Sequence, residues 1–323
     1  MTLSSTTRYA LSTLIMMLGA FSPFAVARSA PPRAPYIDDN LMCRAQPLPA
    51  TVQHLNGEAW KLDAKGVPSV LEEGMVIDEL EGVKTSPSAF VSLLLGDGSR
   101  IVLPSSSQVR LHLVAEKSIP QVILEQGQVE AYVIKRTSDH DRFQIMTPVG
   151  VLGVRGTHFP VRNDNDQSLV EVLNGQVAVN RDDPRQTPSA GRKKPPITGP
   201  VAGEVKVDAK KGLQFKKHGE LKPVDLLEAP ILVGQDGQKG DAPVWTLFLR
   251  PLPGATRYRA QVATDKTFLN IKQENFSSTP RMSFTGLKAS FYHVRLSAYD
   301  AHGLEGETGV YDILYYPPAT RVQ

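Results

Sequence analysis

The sequence predicts an all-β protein: a larger β-sandwich or β-roll domain followed by a smaller β-sandwich. Three observations carry this. Apolar residues recur with a period of two in short runs, the spacing of half-buried strands and not of helices. The content of 25 glycines and 25 prolines favours many turns, hence many short strands over long helices. At 323 residues the chain is long enough for about two domains, each with its own core. A formal net charge of +3 is too small and too scattered for a nucleic-acid surface.

The N-terminal residues 1–27 read as a secretory signal peptide. Arg8 precedes an uncharged apolar run from Tyr9 to Phe21, and Ala25-Val26-Ala27 gives the A-x-A cleavage pattern. The run is shorter than the roughly 18–20 residues that a spanning helix needs. Residues 28–47 form a Pro-rich linker with Pro31, Pro32, Pro35 and Pro47. Cys43 is the single cysteine, so no disulfide within the chain is expected. It stands too far behind the apolar run for a lipid-anchoring site.

The first β domain is expected over 48–226. Gly57, Gly127 and Gly175 each separate two strand-like runs, in variations on one phrase, where positive φ or a bulge is tolerated. These turns are expected to stack near one edge. The stretch Phe143 to Val179 alternates through Val151, Phe159 and Val161, breaks at Asn163-Asp164-Asn165-Asp166, and returns through Leu169 to Val172. A polar loop at about 181–198 carries Arg192-Lys193-Lys194 and reads as solvated chain inside the domain. Strands resume at Val201–Val207 and Leu213–Phe215.

The second unit spans 229–318. Tyr258, Ala260 and Val262 point one way and Arg257, Arg259 and Gln261 the other. Later, Val294, Leu296 and Ala298 are expected in the core, with His293, Arg295 and Ser297 in solvent. One apolar face buried on a second sheet makes a sandwich.

Little in the chain points to catalysis. None of the seven histidines forms H-E-x-x-H or another close pair. Gly150, Gly153 and Gly156 lack the strand-to-helix context of a phosphate loop. The Asn163–Asp166 run lacks the glycine and glutamate of an EF-hand and reads as a turn. Asp139, His140 and Asp141 lie in a fully charged stretch that reads as a hairpin tip. There is no nucleophile elbow. No catalytic residue, cofactor or metal site is expected.

Thr147-Pro148-Val149-Gly150, Val154-Arg155-Gly156-Thr157-His158-Phe159 and Gly175-Gln176-Val177-Ala178-Val179 together follow the pattern TPxGxxxVRGTxF…GxVxV. With Phe90–Leu95 and the Asp97-Gly98-Ser99 turn upstream, this resembles the FecR domain, named for the iron-citrate signalling regulator. The resemblance covers about Leu48 to Lys217. Its signature residues are Thr147, Pro148, Gly150, Val154, Arg155, Gly156, Thr157, Phe159 and Gly175, with structural or partner-binding roles. Arg155 could bridge strands or pair with a buried carboxylate such as Glu171, or present its charge to a partner. The second unit is similar to fibronectin type III-like modules.

The resemblance implies a non-enzymatic periplasmic sensing, regulatory or scaffolding protein that works through protein–protein contacts. An envelope or inner-membrane protein is the expected partner, with no nucleic acid. No later segment in these residues reads as membrane-spanning, so a sigma factor held across a membrane by this chain is not expected. The alternatives are a cell-wall or polysaccharide-binding accessory protein, using Trp245, Tyr292 and Tyr299 as exposed aromatics, and a structural envelope protein.

Overall fold

A computed structural model describes residues 28–29, 49–114, 119–135, 142–164, 166–181, 204–238 and 244–316. The expected signal peptide, Cys43 and nearly all of the 181–198 loop lie outside these residues. No described residue is helical, and the fold is all-β as the alternation predicts. No helix among the described residues is long and apolar enough to cross a membrane.

The strands begin with β1 (Arg28–Ser29), β2 (Ala50–Asn56), β3 (Ala59–Leu62), β4 (Pro68–Val70), β5 (Val76–Ile77) and β6 (Gly82–Thr85). There follow β7 (Phe90–Leu95), β8 (Arg100–Leu103), β9 (Gln108–Val114), β10 (Ile119–Tyr132), β11 (Phe143–Thr147) and β12 (Gly150–Val154). Next come β13 (His158–Asp164), β14 (Gln167–Val172), β15 (Gln176–Asn180), β16 (Val205–Asp208), β17 (Lys211–Lys216) and β18 (Val224–Asp225). The last are β19 (Leu232–Gln238), β20 (Val244–Leu249), β21 (Arg257–Ala263), β22 (Ile271–Ser277), β23 (Arg281–Thr285), β24 (Ser290–Tyr299) and β25 (Gly309–Tyr315).

Strands β2 to β18 make two facing sheets. One runs β5-β2-β7-β8-β10-β13-β14-β17-β18. The other runs β4-β3-β6-β9-β10-β11-β12-β15-β16. β10 belongs to both: Ile119 to Gln126 pair with β9, and Gly127 to Tyr132 pair with β13. Between the sheets lies a continuous core that includes Leu93, Ile101, Val129, Leu152, Phe159, Val170 and Phe215.

The chain passes from sheet to sheet at tight corners, and glycines occupy several of them. Gly57, Gly127, Gly156 and Gly175 all have positive φ, between 69° and 88°. They do not share one edge. On the β10–β13 ladder Gly127 lies opposite Asn163, whereas His158, just after Gly156, lies opposite Tyr132 at the other end. Gly57 lies with Gly127 at the first end, where Ser86 N–H donates to Glu58 O and Ser106 N–H to Ser86 O, both at 3.0 Å. Gly175 stacks on Gly156 at the second, where His158 N–H donates to Asn174 O at 3.1 Å. The expected single stack is therefore two, because the crossing point changes end once the chain has threaded β10.

The C-terminal unit packs a three-stranded sheet, β19-β20-β23, on a four-stranded one, β25-β24-β21-β22. β1 adds to the free edge of β25, with Arg28 opposite Tyr311 and Ser29 opposite Val310. Trp245 fills the core and stacks on Tyr315 at 4.7 Å between centroids. Tyr258, Ala260, Val262, Val294, Leu296 and Ala298 are core residues, as the alternation predicts.

The opposite face departs from expectation. Arg259, Gln261 and Arg295 are only 3%, 1% and 6% exposed, and His293 and Ser297 are also buried. The alternation places them on the outer face of the sheet, and much of that face is covered by the first domain. Period-two patterning reports which residues share a face and cannot report what lies against it. Trp245, Tyr292 and Tyr299 are buried too, so the aromatics singled out for glycan contact are not surface groups.

Candidate functional site

The signature residues build the second set of corners. Thr147 Oγ1 donates to Gly150 O at 3.2 Å and accepts from Val149 N–H at 3.4 Å, which holds the β11–β12 turn with Pro148 exposed at its tip. Val154 and Phe159 point into the core, and Thr157 Oγ1 donates to Gln176 O at 3.1 Å. Arg155 sits half-buried at the corner before Gly156. Glu171, one carboxylate that the sequence offers it, faces Arg162 Nη2 at 3.7 Å. Asn163 and Asp164 end β13 opposite Ser168 and Gln167, the hairpin that the turn reading requires.

A different set of residues forms the chemically distinctive region. On the outer face of the first sheet, β10 presents Glu130 and Tyr132, β13 presents His158 and Arg162, and β14 presents Glu171. The facing strands β21 and β24 present Arg259, Gln261, Arg295 and Ser297, joined by Glu274 of β22 and Glu305 of the β24–β25 turn. These side chains, with the peptide groups of Gly303 and Glu305, form one continuous polar network across the two domains.

Glu130 is its first node. Its Oε1 accepts from Tyr132 Oη at 2.9 Å and meets His158 Nε2 at 2.7 Å, while Arg295 grips both carboxylate oxygens, Nη2 reaching Oε2 at 2.7 Å. Arg295 Nε donates to Gln261 Oε1 at 2.8 Å, and Gln261 Nε2 donates onward to Glu274 Oε1 at 2.8 Å. Arg259 is the second node: Nε donates to Glu274 at 2.6 Å, and Nη1 reaches both oxygens of Glu305 at 3.0 and 2.8 Å. Tyr299 Oη donates to Glu305 Oε2 at 3.1 Å. The network recrosses to the first domain where Glu305 N–H donates to Glu171 Oε1 at 3.1 Å and Arg162 donates to Gly303 O. A cavity among these groups has room for about one water molecule.

Burial raises the cost of every charge here, and partners decide the outcome. Burial pushes the Glu130 carboxyl up, but Arg295 and His158 outweigh it and hold it well below the usual carboxylate range. Burial likewise opposes ionisation of Glu305, and Arg259 with Ser297 draws it below that range. Glu171 goes the other way: burial, with Glu305 beside it, pushes its carboxyl up to about 7 against the pull of Arg162. Burial and Glu130 raise the Tyr132 hydroxyl, and burial and Glu305 raise that of Tyr299, so both stay protonated donors.

An apolar cluster flanks the charges. Phe90, Val102 and Tyr132 of the first domain meet Ala263, Phe268, Leu269, Ile271 and Val310 of the second. Phe268 is nearly fully buried, holds a left-handed φ of 56°, and lies under the Arg295 guanidinium at 4.7 Å. A bulky residue in that conformation is held there by its surroundings. Phe268→Leu, which keeps most of the apolar area and loses the ring face, is expected to cost about 1–2 kcal/mol in denaturant unfolding.

Alternation assigns Arg295 and Ser297 to the face opposite the core and carries no information on what covers that face. A signal exists: Glu130 between Val129 and Ala131, and Glu171 between Val170 and Val172, put lone carboxylates mid-strand. Matching Arg259-x-Gln261 and Arg295-x-Ser297 lie mid-strand in the second unit. Among the described residues no group of three or more His, Cys, Asp or Glu side chains is placed to hold a metal ion. The arrangement joins domains through charge-assisted hydrogen bonds; it presents no open nucleophile.

Comparison with known proteins bears on the first domain. Residues 81–178 match the family model described as FecR protein. The matched FecR segment runs from the start of β6 into β15 and so includes β10, β13 and β14, the strands that carry Glu130, His158, Arg162 and Glu171. No curated protein matches the sequence. Two crystal structures, at 1.65 and 2.50 Å, of a protein from Parabacteroides distasonis ATCC 8503 described as a "putative anti-sigma factor" are similar at 17% identity. Each likeness has a TM-score of 0.34 and covers 45% of this chain and 59% of that one.

Proposed function

We propose that this chain is a non-enzymatic, exported FecR-type module that acts in the periplasm, sensing or scaffolding through protein–protein contacts. The observation that carries the reading is the FecR match over 81–178. The signature within it is spent on corners and core, which leaves sheet faces and turns to meet other proteins. The second domain is read as fibronectin III-like. Its three- and four-stranded sheets, β19-β20-β23 and β25-β24-β21-β22, support that reading. The polysaccharide-binding alternative loses the aromatics proposed for it, since all three are buried.

The test is photo-crosslinking in intact cells, with probes beside Arg155 and on the exposed side of the C-terminal sandwich, followed by mass spectrometry. One discrete envelope or inner-membrane protein is the expected adduct. Cell-wall glycan alone, or only a second copy of the chain, would overturn the regulatory reading in favour of an accessory or structural one. The same preparation reports whether the chain begins at Arg28, as cleavage after Ala27 requires. Arg155→Ala is expected to lower the melting temperature by about 2–4 °C while the adduct persists. Unchanged melting with loss of the adduct would assign Arg155 to the partner surface.

A further inference from the structure

The buried network contains more carboxylates than guanidinium groups. Four carboxylates, Glu130, Glu171, Glu274 and Glu305, meet three guanidinium groups, Arg162, Arg259 and Arg295. Glu274, Glu305 and Glu130 are each gripped by Arg259 or Arg295 at hydrogen-bond distance. Glu171 has the longest pairing, 3.7 Å to Arg162 on the adjacent strand of its own domain, and its contact across the interface is the peptide N–H of Glu305. Glu171 is therefore the carboxylate without a guanidinium at hydrogen-bond distance, and it lies beside a second carboxylate already committed to Arg259.

The other groups around Glu171 do not supply a fourth cation. β13 contributes Arg162, β21 contributes Arg259, and β24 contributes the Tyr299 hydroxyl, which donates to Glu305. On β17, Gly212 lies opposite Glu171, and its neighbour Lys211 is paired with Asp225 of β18 at 2.6 Å. Lys210 is paired with Glu307 at 3.0 Å. His158 faces Glu130, at the far end of the network.

We propose that Glu171 is a proton-operated latch between the two domains. Protonated, it holds the C-terminal sandwich docked; ionised, it loosens the docking and exposes the apolar surface of Phe90, Val102 and Tyr132. The proton passes to solvent when the interface opens. The inference goes beyond the sensing role and does not depend on which partner is found.

The direction follows from linkage. A carboxyl raised in the docked state, from the ordinary 4.5 to about 7, binds its proton more tightly there than when released. Docking is therefore favoured in mild acid and weakens as pH rises from about 5 through 7, with no further loss above. Glu130 and Glu305, held below the usual range, act oppositely and weaken docking only in stronger acid.

Amide hydrogen exchange on the purified protein, corrected for the intrinsic pH dependence of exchange, tests the latch on peptides covering 127–132, 168–172 and 293–299. Opening is expected to rise about 30-fold between pH 5.5 and 8.5 in the natural chain. In Glu171→Gln, neutral at every pH, opening is expected to stay flat. Opening that is flat in the natural chain, or that keeps the full slope in Glu171→Gln, overturns the proposal. If that variant does not fold, carboxyl NMR of the natural protein decides. A Glu171 midpoint near 7 that moves the Glu305 amide supports the latch, and a midpoint in the ordinary carboxylate range sinks it.

Discussion

Arg295→Ala is expected to destabilise the docked pair by about 3–5 kcal/mol, the usual effect of stripping one partner from a buried ion pair. The guanidinium is engaged on every side. It binds both oxygens of Glu130, donates to Gln261 and Tyr132, and covers the ring of Phe268. Without it, the Glu130 carboxylate stays 3% exposed with only Tyr132 and His158 as partners. Calorimetry should then show the two sandwiches unfolding separately, where the natural protein unfolds with the domains coupled. Replacing both members, as Glu130→Gln with Arg295→Met, is expected to recover much of the loss, because the desolvation of two ions disappears together with their attraction. A cost below about 1 kcal/mol for Arg295→Ala alone would place the pair among solvent-screened ones and remove the network as the basis of docking.

The same interface shows which parts of the structure were legible in the sequence. Fold class was legible because strand pattern and turn chemistry are local: Val294, Leu296 and Ala298 must share a face whatever surrounds them. The β13–β14 turn was legible for the same reason, since Asn and Asp favour that backbone unaided. What lay against the other face was a tertiary fact. Arg295 looks like an ordinary solvent-facing residue until β10 supplies Glu130, 165 positions away. Glu171, one carboxylate open to Arg155 on the sequence, stands instead on the outer face beside Arg162, while Arg155 lies at a corner.

The glycine corners offer a test in which conformation and space separate. Gly127 and Gly74 have nearly the same positive φ, 77° and 84°. A Cβ on Gly127 would lie 2.5 Å from Ser106 O and 2.7 Å from Ser107 Cα, both backbone atoms of the neighbouring corner. A Cβ on Gly74 would meet nothing within 4 Å. Gly74→Ala should therefore cost about 1 kcal/mol, the left-handed penalty less the entropy removed from the unfolded chain. Gly127→Ala adds a clash that only movement of the β8–β9 corner can relieve, and about 3–5 kcal/mol is expected in denaturant unfolding. Because β10 enters the first sheet at Gly127, that movement would also shift Glu130, three residues on, away from Arg295. Loss of protection should therefore reach the 293–299 segment of the second domain in Gly127→Ala and not in Gly74→Ala. Equal costs for the two variants would mean that the corner is not clamped, and that the position of Glu130 is set by the C-terminal sandwich instead of by the first domain's own backbone.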